Sequence, residues 1–202
     1  MTTETIEFTS DKFTLEGILD KNDVSRAVVV THPHPLYGGD MHNPVTGSIH
    51  TAYASSGYTT LRFNFRGVGA SQGTYAKGTG EQGDVLSAVG RLRDMGAQWV
   101  EIAGYSFGAW VNALAVANGA AVDRLIMVSP PVGFLDFDGV GELDGLHLVI
   151  TGSKDEIAPP DVIKKYMPEW NPRARLEVIT GADHFYGSYF PTLESTIING
   201  IK

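Results

Sequence analysis

The feature that most restricts the fold is a rhythm: compact runs of β-branched and other apolar residues recur along the chain, separated by longer stretches of helical period. Residues 27–30, 61–65, 99–103, 125–128 and 146–150 are such runs, and residues 176–179 read as a last one. Segments apolar on both sides of the pleat belong to strands buried on both faces, the situation of a mainly parallel sheet covered by helices. Ahead of them, residues 5–9 and 13–19 alternate apolar and polar side chains across a turn at Ser10-Asp11, which predicts an antiparallel hairpin. Helices are expected at residues 44–56, 81–95, 107–118, 160–167 and 189–201. In the second of these, Val85, Ala88, Val89, Leu92 and Met95 recur at spacings of three and four. That stripe should face the sheet and leave Glu81, Asp84, Arg91 and Arg93 in water. The glycine-rich stretch 67–83 reads as one long loop.

The fold class is therefore α/β, and 202 residues without repeat, heptad array or low-complexity linker are expected to form a single domain over 1–202. The absence of cysteine excludes a disulfide scaffold, a thiolate zinc site and a cysteine nucleophile. A net charge of -8 repels phosphate backbones, so nucleic acid is not an expected partner. The first 17 residues carry Glu4, Glu7, Asp11 and Lys12 among their apolar residues, unlike a signal peptide, and no apolar run approaches the ~20 residues that span a bilayer. The expectation is a soluble, cytoplasmic protein.

The pattern G-x-S-x-G occurs twice, as Gly69-Ala70-Ser71-Gln72-Gly73 and as Gly104-Tyr105-Ser106-Phe107-Gly108. A nucleophilic serine needs a sharp strand-to-helix turn, which lifts its hydroxyl above the sheet and aims helix-start N–H groups at the developing oxyanion. Ser106 has a strand pattern before it and the helix-forming run Ala109-Trp110-Val111-Asn112-Ala113-Leu114-Ala115 after it. Ser71 is followed by Thr74, Gly78 and Gly80 without helical period, so its glycines read as loop residues.

A hydroxyl also needs a base, and the base a partner that fixes its tautomer. Downstream of Ser106 the histidines are His147, inside an apolar run and read as structural, and His184, in the polar turn after the last strand. His184 is the better base. Asp155 directly follows the run 146–150, at the carboxyl end of a strand where open α/β sheets collect their ligands. Glu156 and Asp183 are the fallback acids, and a solvated turn acid or helix cap is the plain alternative for Asp155.

The chain order Ser106, Asp155, His184, each just past a strand, is that of the α/β hydrolases. The chain resembles that superfamily over nearly its whole length. His32-Pro33-His34-Pro35-Leu36-Tyr37-Gly38-Gly39 is similar to its oxyanion loop, and Asn64-Phe65-Arg66-Gly67-Val68-Gly69-Ala70-Ser71 to its Arg-Gly-x-Gly-x-Ser element. Gly152-Ser153-Lys154-Asp155-Glu156 and Gly181-Ala182-Asp183-His184-Phe185 are similar to its acid and histidine segments. The nearest resemblance is to small, cap-poor serine hydrolases with a His-Pro-His-Pro loop. It implies an α/β-hydrolase fold without a substantial cap, a Ser106-His184-Asp155 triad, no cofactor, and cleavage of small carboxylic esters through an acyl-enzyme.

One departure bears on chemistry. Pro33 and Pro35 have no N–H to donate to an oxyanion, so position equivalence points to His34, with Leu36 next, alongside Phe107 after the nucleophile. Fewer than twenty residues separate the strands at 125–128 and 146–150, too few for a multi-helix cap. Pro130, Pro131, Phe134, Leu135 and Phe137 there, with Tyr37, Tyr105, Phe185 and Tyr186, are candidates for an apolar substrate pocket; plugging the core rim or a homo-oligomer contact is the alternative. Thioesterase, peptidase or amidase, and a non-catalytic binding relative are the competing functions. A metal site at His32, His34 and His42 is disfavoured because His32 ends an apolar strand, where a structural hydrogen bond is the ordinary fate. Gly67-Val68-Gly69 opens no helix, and residues 73–79 place Thr79 where a phosphate loop has lysine, so neither nucleotide reading holds.

Overall fold

The computed structural model describes residues 2–202. Its strands are β1 (Thr2–Ser10), β2 (Phe13–Lys21), β3 (Asp23–Thr31), β4 (Tyr58–Phe63), β5 (Trp99–Tyr105), β6 (Arg124–Val128), β7 (Leu146–Gly152) and β8 (Arg175–Ile179). Its helices are α1 (Pro44–Ser55), α2 (Thr79–Asp94), α3 (Phe107–Ala117), α4 (Pro160–Trp170) and α5 (Phe190–Ile201). The strands form one sheet in the order β1-β2-β4-β3-β5-β6-β7-β8. The pairs β1–β2 and β2–β4 are antiparallel, and every other pair is parallel. The N-terminal hairpin and the parallel body expected from the hydrophobic rhythm are both present.

Period two explains the layers. Along β3, Ala27 and Val29 enter one core, packed by α2, α3 and α4, while Val28 and Val30 enter the other, packed by α1 and α5. All four are fully buried, so a run without polar alternation is what a helix-covered strand requires. The strands extend beyond the apolar runs because backbone pairing, unlike side-chain burial, is indifferent to composition: Thr2 pairs with Lys21, and Tyr105 with Val128.

Three expectations are corrected. Glu81 and Asp84 are not wet but fully buried. Glu81 accepts the N–H groups of Ala76 and Gly78 at 2.7 and 2.8 Å, and so serves the first turn of α2, where orphan donors and the helix dipole favour a carboxylate. Asp84 grips Arg66, with Arg66 Nη2 at 2.7 Å and the Arg66 N–H at 3.0 Å. The glycine-rich loop consequently ends at Gly78, where α2 starts, rather than at residue 83. Finally, α4 runs past residue 167 through Pro168, which removes one backbone donor from the last turn without ending the helix there; the buried Trp170 ring stacks on Tyr166 at 5.2 Å and meets Phe137 at the same distance.

Residues 129–145, between β6 and β7, contain no helix or strand, so no cap covers the carboxyl ends of the parallel strands. No helix among the described residues is long and apolar enough to cross a membrane.

Candidate active site

Parallel pairing brings the ends of β5, β6 and β7 side by side, and the chain leaves each at a sharp turn. After β5, Ser106 adopts φ 53° and ψ -119°, a left-handed conformation that costs a non-glycine residue about 1–3 kcal/mol. Its N–H donates to the Val128 carbonyl at 2.9 Å, so the turn is tied to the neighbouring strand's end. The flanking glycines are obligatory for packing. A Cβ at Gly104 would lie 2.5 Å from Thr31 Oγ1 and 2.6 Å from the Ala109 nitrogen, and one at Gly108 2.7 Å from the His32 carbonyl oxygen.

Ser106 Oγ lies 3.0 Å from His184 Nε2, and His184 Nδ1 lies 2.9 Å from Asp155 Oδ2. The three residues are thus joined in one hydrogen-bonded line. The carboxylate is buried and further held by the Ile157 and Ala158 N–H groups at 3.0 and 2.7 Å on Oδ1. Burial pushes its carboxyl up, but hydrogen bonding and the charge of His184, with the Ala158 N–H, more than reverse this and hold it below the usual carboxylate range. An ionised Asp155 keeps the imidazole hydrogen on Nδ1, leaving Nε2 to accept from Ser106. Tyr105 Oη donates to the His184 carbonyl at 2.9 Å and so anchors the turn that carries the imidazole. Glu156 and Asp183 take no part in this line; Asp183 Oδ1 caps the N–H groups of Phe185 and Tyr186.

Ser106 and His184 open onto a cavity of about 330 Å³ whose wall includes His34, Tyr37, Tyr105, Phe107, Phe134, Leu135 and Phe185. Three of the pocket candidates, Pro130, Tyr186 and Phe137, are not there, and Pro130 is buried beside the wall's Pro131. Tyr186 is fully buried in the core, with Oη 2.8 Å from Ser129 Oγ, because its φ of 55° turns the side chain inward. Phe137 is likewise a core residue, against Trp170. Asn43, Ile157, Pro33, Gly38, Gly39 and Pro131 complete the wall, which among the described residues contains no Lys, Arg, Asp or Glu.

Backbone donors can be counted in the loop 33–39. Leu36 donates its N–H to His34 Nδ1 at 3.2 Å, Tyr37 and Gly39 donate to the His34 carbonyl, and Gly38 to that of Pro35. Leu36, the second candidate donor, is therefore engaged and its side chain is exposed. The prolines have no N–H, so the His34 N–H is the loop's one donor without a protein acceptor among the described residues; the Phe107 N–H at the start of α3 is in the same condition. His32 has the structural fate expected of it: Nε2 accepts the Phe65 N–H at 3.0 Å and Nδ1 donates to the Pro33 carbonyl at 2.7 Å. His147 Nε2 likewise meets the Gly200 carbonyl, 3.0 Å away. Tyr75, which ordinary loop composition did not mark, approaches His34 Nε2 at 3.1 Å.

No family profile matches the chain. A protein of Rickettsia prowazekii without assigned function is 34% identical over 193 residues, covering 90% of this chain and 81% of its own. An α/β serine hydrolase homologue from Coxiella burnetii superposes with a TM-score of 0.92 at 30% identity, over 100% of this chain and 99% of that one. XC6422 from Xanthomonas campestris, described as an α/β serine hydrolase without lid, gives 0.89 at 30% identity over 98% and 93%. With sheet order, uncapped strand ends and full-length similarity in agreement, this chain belongs to the α/β-hydrolase superfamily, in its lid-less form.

Proposed function

We propose that the protein is a serine esterase that cleaves small, neutral carboxylic esters through an acyl-enzyme. The observation that carries the reading is the unbroken line Ser106 Oγ, His184, Asp155 at 3.0 and 2.9 Å, ending on a strained serine at the cavity wall. In the proposed cycle Ser106 Oγ attacks the ester carbonyl as His184 Nε2 takes its proton, and the carbonyl π pair moves onto oxygen. The His34 and Phe107 N–H groups receive that oxyanion. Asp155 steadies the imidazolium, which then protonates the departing alcohol. Water, deprotonated by the same imidazole, attacks the acyl-enzyme and frees the acid.

Substrate class follows from the wall. A cavity lined by Tyr37, Phe134, Leu135 and Phe185 without a formal charge favours an apolar acyl or alcohol group and offers no cation to a carboxylate or phosphate. Tyr37, Phe134 and Phe185 are exposed at the mouth, which disfavours thioesters of a phosphate-bearing carrier. The test combines an active-site fluorophosphonate with p-nitrophenyl esters of increasing acyl length, thioesters and aminoacyl anilides. Labelling of the wild type but not of Ser106→Ala, with turnover confined to esters, is the expected result. An unlabelled wild type leaves a binding protein, and preference for anilides an amidase.

A further inference from the structure

The loop 32–39 contains more order than a single N–H donor needs. Pro35 forces His34 into extended backbone, φ -60° and ψ 122°, and the His34 ring then folds over to accept the Leu36 N–H. That bond leaves the hydrogen of the neutral ring on Nε2, which faces Tyr75 Oη at 3.1 Å. The same ring lies 4.8 Å from Phe107 and 5.1 Å from Tyr75, centroid to centroid, while Tyr75 and Phe107 are 5.8 Å apart. Three aromatic rings from three separate segments thus form a closed triangle. Two of its corners, His34 and Phe107, are the residues whose N–H groups lack acceptors at the cavity.

The third corner has no such N–H, yet its placement is elaborate. The loop leading to Tyr75 folds back on itself: Gly67 donates to the Gln72 carbonyl, and a Cβ at Gly67 would meet the Thr74 Cα at 2.9 Å. Immediately beyond Tyr75, the buried Glu81 takes the N–H groups of Ala76 and Gly78. Tyr75 is therefore fixed from both sides.

We propose that the His34 side chain is a positioning residue, clamped by Tyr75 against Phe107, which sets the separation of the two backbone donors that receive the oxyanion. The inference rests on the esterase reading. Its physical basis is that a donor pair acts only when both hydrogens reach the same point, and the donors here come from loops that share no backbone hydrogen bond with one another. The β3–β5 ladder joins their strands as far as Thr31 and Gly104, and beyond it side-chain packing is what joins the two loops.

The experiment uses Tyr75→Phe, which keeps the ring and removes the hydroxyl; His34→Asn, which keeps a cap acceptor for Leu36 but cannot reach Tyr75; and their combination. Competent sites are first counted by fluorophosphonate titration, so that misfolded molecules do not enter the rates. For each variant, kcat, KM and the affinity for a trifluoromethyl ketone are measured. That ketone accepts Ser106 Oγ at its carbonyl carbon, places the electron pair on oxygen, and sends the serine proton to His184. Each single change should lower kcat per competent site by about tenfold, the scale of one hydrogen bond, and weaken the ketone in parallel with little change in KM. The double variant should lose no more than the larger single effect, since both changes break one contact. A rise in KM at constant kcat, unaltered ketone affinity, or additive losses would overturn the clamp while leaving the esterase reading intact. A wild type that is not labelled at Ser106 would remove both.

Discussion

Ser71 and Ser106 sit in the same five-residue pattern and have opposite fates. Ser71 Oγ donates to the Asn64 carbonyl at 2.7 Å and accepts the Glu16 N–H at 3.1 Å, so both its capacities are spent on pinning a loop to β2. Ser106 has one side-chain partner, an imidazole, and a backbone strained to φ 53°. Glycines crowd both serines, but for different neighbours. At Ser106 they admit β3 and the first turn of α3; at Gly69 a Cβ would strike Glu16 and Asn64 side chains, and at Gly73 the Phe13 ring. The lesson is that this motif describes a tight backbone, and only what faces the hydroxyl decides whether it is structural or reactive.

The contrast can be broken or sharpened experimentally. Ser106→Ala should lower ester turnover by about 10⁶-fold, the scale found when such a nucleophile is deleted, without lowering the thermal midpoint; retained turnover would move the chemistry elsewhere. Next, Asp155→Asn should cost about 10⁴-fold in kcat, because the amide no longer holds the imidazole hydrogen on Nδ1. Circular dichroism of that variant should report an unchanged fold.

His32 links the two serine segments, since its ring binds Phe65 at the start of one and its carbonyl abuts Gly108 in the other. Burial, opposed by the Pro33 carbonyl and Asp40, pushes its pKa down to about 4 from an ordinary 6.5. The unfolded chain thus binds this proton more readily than the folded one. Stability is full above pH 6.5 and should fall by about 3 kcal/mol as pH drops towards 4, as urea midpoints would register. His32→Gln should flatten that slope.

Smaller effects complete the comparison. Ser71→Ala leaves the Glu16 N–H without its acceptor and should cost about 2 kcal/mol of stability, with kcat per competent site within about threefold of wild type. A large loss of kcat there would mean that the loop feeds the active site more directly than its contacts indicate. Ser106→Gly should abolish turnover yet stabilise by about 1 kcal/mol, releasing the left-handed strain; an unchanged midpoint would show that the strain is compensated locally.

Much of this is legible in the sequence. The runs at residues 27–30, 125–128 and 148–150 are buried strands because continuous apolar character has no other inexpensive fate, and Ser106, Asp155 and His184 could be picked because each follows a strand pattern. Charge was a poorer guide. Glu81 and Asp84 read as solvent-facing, yet both are buried, because the partners that justify their burial, the N–H groups of residues 76 and 78 and the Arg66 guanidinium, lie outside any helical period. Tyr75 escaped notice for a related reason: nothing in its loop announces a histidine 41 residues upstream.

The sequence by itself determined the layered α/β arrangement, the hairpin at one edge and the place of Ser106, but not Ser71, between a strand and a helix, because hydrophobic period, proline and glycine act through neighbours a few residues apart. Tertiary structure alone decided which N–H groups remain without acceptors, that Tyr186 turns into the core and that the rings of His34, Tyr75 and Phe107 meet. Those outcomes depend on distances across the sheet ends, where residues far apart in the chain compete for the same donors and the same space.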